Sequence, residues 1–176
     1  MFATLAAERQ EYGSLYRAGL ERLGIDRASL LVLLAPSEKA LLWAAEEAGC
    51  CWALAGAVIM LGRHEKLHGF TESRRLKLRQ EKTGASLFIV RARAGEASAA
   101  AARWRVGFAA SEGLRAPESV LPLLGRPRFR VGLERYAGSP PLHWEVELDE
   151  AHALRVVAAV SDRPALTPRF NDQRAV

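Results

Sequence analysis

The sequence predicts an α/β fold: a mostly parallel sheet flanked by helices, then a C-terminal antiparallel meander. Three observations predict it. The run 54–61, Leu-Ala-Gly-Ala-Val-Ile-Met-Leu, is apolar without alternation, as in a strand buried on both faces of a covered parallel sheet. A buried helix would give the same run, but the β-branched pair Val58-Ile59 and the stop at Gly62-Arg63 favour a strand. Similar runs at 30–35 and 85–90 are separated from it by helical segments, the β-α-β-α-β order that parallel strands require. Beyond residue 103 the periodicity changes to two, the signature of half-buried strands.

In chain order, residues 1–23 read as helical, with Leu5, Tyr12, Leu15, Tyr16, Leu20 and Leu23 near helical spacing and Gly24 as the stop. The strand 30–35 ends at Pro36, and Ser37 is placed to cap the next helix. That helix buries a small face of Ala40, Leu41, Ala44, Ala45 and Ala48 and leaves Glu46 and Glu47 outside. Trp43 and Trp52 are read as packing residues. Thr71 is the expected cap of a helix to Thr83, ended by Gly84; its large apolar residues are Leu76 and Leu78, and it carries Arg74, Arg75, Lys77, Arg79 and Lys82. A short Ala-rich helix is expected over 97–102. Strands then alternate at Trp104, Val106 and Phe108; at Phe129, Val131 and Leu133; and at Leu142, Trp144, Val146 and Leu148, the last two joined by the turn 138–141, with a final strand over 154–160. The expected organisation is one domain over 1–160, with the meander continuing the parallel sheet, a loop over 111–125, and a frayed tail over 161–176.

The 176 residues, 49% hydrophobic and 26% charged, suit one ordinary globular domain with its own core. No run is long and apolar enough for a membrane span, and residues 1–10 do not read as a secretory signal. The adjacent Cys50 and Cys51 read as reduced thiols. The net charge of +5 is compatible with nucleic acid or an acidic partner.

Several chemistries lack their residues. The sequence contains no G-x-x-x-x-G-K-[ST] phosphate loop, no G-x-G-x-x-G after a strand and no G-x-S-x-G elbow. A P-loop NTPase places an aspartate after its central strand to hold magnesium, where this chain has Gly62. His64 and His68 flank Glu65 at a spacing that misses the H-E-x-x-H zinc motif, and they read as solvated loop residues. No catalytic, cofactor-binding or metal-binding residue is expected. Arg128 and Arg130 face Glu145 and Glu147 across a hairpin, which suggests ion pairing. Arg91, Arg93, Arg103 and Arg105 lack such obvious partners. With Arg63 and the helix cations Arg74, Arg75, Lys77 and Arg79, they form the candidate nucleic-acid or partner-binding set.

The stretch 10–20, Gln-Glu-Tyr-Gly-Ser-Leu-Tyr-Arg-Ala-Gly-Leu, followed by Leu23-Gly24-Ile25-Asp26 and by 30–34, resembles the ImuA family. So do 40–47, the Thr71-x-Ser73-Arg74-Arg75-Leu76-x-Leu78 motif, Arg103-Trp104-Arg105-Val106, and 127–131 with its hairpin. The resemblance covers roughly 10–164. It implies a RecA-like core in a bacterial protein of SOS-induced mutagenesis with a cytoplasmic location. It also implies work beside a catalytically inactive Y-family polymerase homologue, an error-prone C-family polymerase and RecA, in translesion synthesis and DNA repair. In RecA-like folds the segments after the central and third strands are DNA-binding loops; here those positions are 62–70 and 91–96, both short. RecA-like cores begin with a further strand, phosphate loop and helix, so a natural short form or a fragment is expected.

The expected function is therefore a non-enzymatic adaptor acting through protein partners. One alternative is a module that binds single-stranded DNA weakly, with Trp104 stacking on bases. Another is an ATPase half-site completed by a second subunit. The implied lack of a first strand leaves a flank of the sheet at 30–35 and 54–61 that would recruit another chain, as a homodimer or through a partner, unless residues 1–23 fold back over it.

Overall fold

The structure, a computed structural model, describes residues 1–62, 69–92, 97–114 and 123–159. The described residues divide into two compact units, one within 1–101 with 151–153, the other within 102–150 with 154–159. The expected tail over 161–176 lies outside the described residues.

The first unit holds β1 (Phe2–Leu5), α1 (Ala6–Tyr12), α2 (Arg17–Arg22), a 3-10 turn (Arg27–Ser29), β2 (Val32–Ala35), α3 (Glu38–Cys50), β3 (Gly56–Met60), α4 (Phe70–Gln80) and β4 (Ser86–Val90). Its four strands are parallel, in the order β2-β1-β3-β4. The N-terminus is where the sequence reading fails. Residues 1–23 are not one helix: Phe2–Leu5 enter the sheet, and Phe2 pairs with both Val32 and Val58. The helical spacing of Leu5, Leu15 and Leu20 is fortuitous. The apolar run Phe2-Ala3-Thr4-Leu5 gains more by burial between two strands, where Ala3, Thr4 and Leu5 are all buried. The strand inferred to be missing from this flank is therefore supplied by the chain itself, and β3 lies inside the sheet.

One face of the sheet carries the core. In-register residues of parallel strands share a face, so Leu33, Ala3, Ile59 and Ile89 form one row. This row and its neighbours pack with Leu41, Leu42, Ala45, Ala48 and Leu76. Helix α3 crosses all four strands, and α4 packs on α3. The small alanine face read from the sequence is what permits that close approach. Truncating Ile59, which is fully buried, should therefore be costly: Ile59→Ala is expected to lower stability by about 3 kcal/mol in urea unfolding. The opposite face keeps Val32, Leu34, Phe88 and Val90 exposed, so β3 is not buried on both sides as its unbroken apolar run suggests.

Local signals hold at most boundaries. The Ser37 hydroxyl accepts from the Ala40 amide at 3.3 Å and caps α3. Gly24 and Gly84 take φ of 78° and 74° just past their helices. Helix α4 starts one residue before the expected cap, with Gly69 at the cap position and no side-chain cap. Residues 97–101 form no helix, the Ala-rich run being too short to repay nucleation. Instead the Ala99 amide donates to the Ser73 hydroxyl at 2.9 Å and ties the segment to α4. Trp43 and Trp52 do not pack into a core; both are exposed.

The second unit is the antiparallel meander: β5 (Ala102–Ala109), β6 (Arg128–Tyr136), β7 (Leu142–Leu148) and β8 (Leu154–Ala159), in sequential order. It is a separate sheet rather than a continuation of the parallel one. Its strands bond only to one another because each finds an antiparallel neighbour next in sequence. Alternation puts the apolar residues on one face and Arg105, Arg130 and Glu145 on the other. Of the expected loop, 115–122 lies outside the described residues, and Leu114 bridges to Leu123 across it.

Candidate partner-binding surface on α4

Helix α4 buries Ser73 and Leu76 and distributes its cations over two other faces. Arg75 and Arg79, one turn apart, face α3. Both bond to Glu46, Arg75 through a direct hydrogen-bonded ion pair and Arg79 at 3.4 Å. Arg79 also reaches Glu47 at 3.6 Å. Glu46 is buried rather than outside as the helical pattern suggested, because two guanidinium groups compensate its charge. The sequence carried a signal for this: an acidic residue beside Ala45 on the packing face, and an i, i+4 pair of arginines on the next helix.

Arg74 and Lys77 occupy the outer face. With Phe70, Leu78, Glu81 and Ala99 they line a shallow depression of about 310 Å³. Phe70, Arg74 and Leu78 follow one another at four-residue spacing, so an exposed ring and an exposed leucine bracket a cation. Lys77 sits 3.8 Å from Glu81, and among the described residues Arg74 has no ion-pair partner. The surface thus offers two apolar anchors and net positive charge, which suits an apolar side chain flanked by acidic groups.

The other candidates are placed as follows. Arg63 and Arg93 lie outside the described residues, as do His64, Glu65 and His68 and most of the two expected DNA-binding loops. Arg91 follows the last residue of β4. Arg103 and Arg105 stand in β5, and Arg105, expected to have no obvious partner, forms an ion pair with Glu134. The anticipated hairpin pairs are present: Arg128 to Glu147 at 2.7 Å and Arg130 to Glu145 at 3.1 Å. The hydrogen bond Arg128 donates to Glu147, then the one it donates to Glu112, raises its pKa above the ordinary value; the bond Arg126 donates to Glu150 leads the same shift there. The structure groups the α4 cations in the first unit and places Arg103 and Arg105 in the second.

The sequence reading missed Glu8. It lies in α1, just past the carboxyl end of β1, where parallel sheets collect functional groups. It is 3% exposed, its Oε2 accepts from the Thr4 hydroxyl at 3.0 Å, and among the described residues its Oε1 has no hydrogen-bond partner. Gly62, at the end of the β3 strand, has φ of 49°, and a Cβ there would run into the Glu8 carboxylate. The missing aspartate thus has a local physical counterpart: the space for a side chain at 62 is filled by another acid. Among the described residues no group of His, Cys, Asp and Glu could hold a metal ion, and no helix is long and apolar enough to cross a membrane.

No protein-family model matches the chain. Protein ImuA of Caulobacter vibrioides, in each of two strains, is 32% identical over 163 residues, covering 84% of this chain. The match covers 64% of the relative's length, so the chain spans just under two thirds of the curated relatives it matches.

Proposed function

We propose, from the likeness to Protein ImuA, that this chain is a non-enzymatic adaptor of bacterial SOS mutagenesis, acting in translesion synthesis. The identity to Protein ImuA across most of the chain is the observation that carries the reading. In it, the chain holds protein partners together in the cytoplasm: an inactive Y-family polymerase homologue, an error-prone C-family polymerase and RecA. Two features support an adaptor without its own nucleotide chemistry. The residues present include no phosphate loop, and the magnesium-holding position after β3 is Gly62, backed by Glu8. The outer face of α4 is the proposed contact, since Phe70 and Leu78 supply desolvated area while Arg74 and Lys77 select acidic neighbours.

The test is genetic. Deleting the gene in its host should cut the frequency of ultraviolet-induced rifampicin-resistance mutations at least about tenfold, and the wild-type gene should restore it. The double variant Arg74→Glu/Lys77→Glu, altered only at the surface, should fold normally and fail to restore it. An undiminished frequency in the deletion strain would sink the adaptor reading. Full restoration by the double variant would remove α4 from it.

A further inference from the structure

Among the described residues, one face of the second sheet carries no charge; its side chains on the edge strands are largely exposed, while Leu133 and Val146 on the inner strands are buried. Successive cross-strand partners place Phe108, Phe129, Val146 and Val156 in one row of that face. The next row is Val106, Val131, Trp144 and Ala159. Phe108 is 89% exposed, Val106 66% and Val156 63%. Antiparallel sheets normally keep the apolar face in a core and leave the other wet. Here the wet face is complete, with Arg105, Arg128 and Arg130 each paired to a glutamate.

We propose that this apolar face is the interface of a two-fold symmetric homodimer, two sheets packed face to face as a β-sandwich. The area is adequate. Four strands of about seven residues cover roughly 19 by 24 Å, about 450 Å² in projection. A monomer's largest apolar patch is about 300–600 Å². With side-chain relief added to its projection, the face approaches the roughly 800 Å² that each partner buries in a stable pair.

The rows are also self-complementary. A two-fold axis running along the strands between β6 and β7 lays β5 of one copy over β8 of the other, and β6 over β7. Phe108 then meets Val156, Phe129 meets Val146, Trp144 meets Val131, and Val106 meets Ala159. Each aromatic ring falls on an aliphatic side chain, the large-on-small interdigitation that fills a sandwich core about 10 Å thick. An axis perpendicular to the strands would stack β5 on β5 and press Phe108 toward its own copy. Nucleic acid fits the face less well. Base stacking on exposed rings needs cations alongside to follow the phosphates, and Arg105, Arg128, Arg130 and Arg155 lie on the opposite face, paired with acids.

The inference is independent of the proposed function. Light scattering on the full chain should give twice the single-chain mass of 19.3 kDa at micromolar concentrations. Phe108→Glu should give one chain mass with an unchanged circular dichroism spectrum, its dimer Kd raised at least about 30-fold. Because Phe108 is so exposed, the substitution should not unfold the sheet. A monomer throughout, or a dimer indifferent to Phe108→Glu, would overturn the proposal. So would a monomer whose tryptophan fluorescence is quenched by oligothymidylate, since the face would then belong to nucleic acid. In a Cys50→Ser/Cys51→Ser background, oxidising a mixture of Phe108→Cys and Val156→Cys chains should link them, and Phe108→Cys alone should not link to itself. The reverse pattern would refute the strand-parallel axis.

Discussion

Gly62→Ala is expected to destabilise the protein by about 3 kcal/mol, a large effect for one methyl group. Two costs combine. At φ of 49° an L side chain pays for left-handed backbone, about 1–2 kcal/mol. The added Cβ also intrudes on the Glu8 carboxylate, which is buried and held by Thr4. Overpacking of this kind costs about 1–3 kcal/mol. A double-mutant cycle separates the two. Glu8→Ala should remove the steric part and leave the backbone part, so Gly62→Ala should cost clearly less in the Glu8→Ala background, with a coupling above about 1 kcal/mol in urea denaturation. Additive behaviour would show that Glu8 does not occupy the space in solution.

The second large effect concerns charge. Glu46→Gln is expected to release Arg75 and Arg79, which Glu46 now engages, and to turn α4 into a stronger anion-binding surface. Both guanidinium groups are partly exposed, so freeing them costs little stability. If the wild-type chain binds single-stranded DNA weakly through Arg74 and Lys77, two further phosphate contacts should steepen the log–log salt dependence by about 1.4. The gain over wild type should then shrink about sevenfold between 50 and 200 mM salt. Fluorescence anisotropy with a labelled oligothymidylate reads both quantities. An unchanged slope would mean that the arginines stay with α3 through Glu47 or do not face phosphate.

These two sites show what was legible in the sequence. Strands with a clear period or a β-branched run were readable: 56–60, 86–90 and all four strands of the meander. Helix α3 was readable because its cap, its small apolar face and its length agree. Residues 2–5 were not, because a four-residue strand between two others has no period of its own. Whether such a run joins a helix or a sheet depends on Val32 and Val58, which local patterns cannot see. Glu8 was hidden for a related reason, and Glu46 was signalled only by the spacing of its arginine partners on α4. A buried carboxylate is set by its partners across the fold, and propensity places any glutamate in water. The set of candidate arginines was legible as composition, but its sorting was not. Arg75 and Arg74 are adjacent in sequence, yet one is drawn to Glu46 and the other faces outward.

The threading of β1 between β2 and β3 has a kinetic consequence. The meander can grow by adding each strand to the one just made, so its pairings close short stretches of chain. The parallel sheet cannot. One of its two inner strands, β1, precedes both of its neighbours in the chain, and Phe2 must wait for Val32 on one side and Val58 on the other. Loop closure of that length slows folding, and until it occurs a nascent chain carries an apolar segment with both edges unpaired. During synthesis the first unit therefore cannot complete its sheet until residues through β4 have left the ribosome. While it waits, Phe2–Leu5 is open to mispairing along both edges.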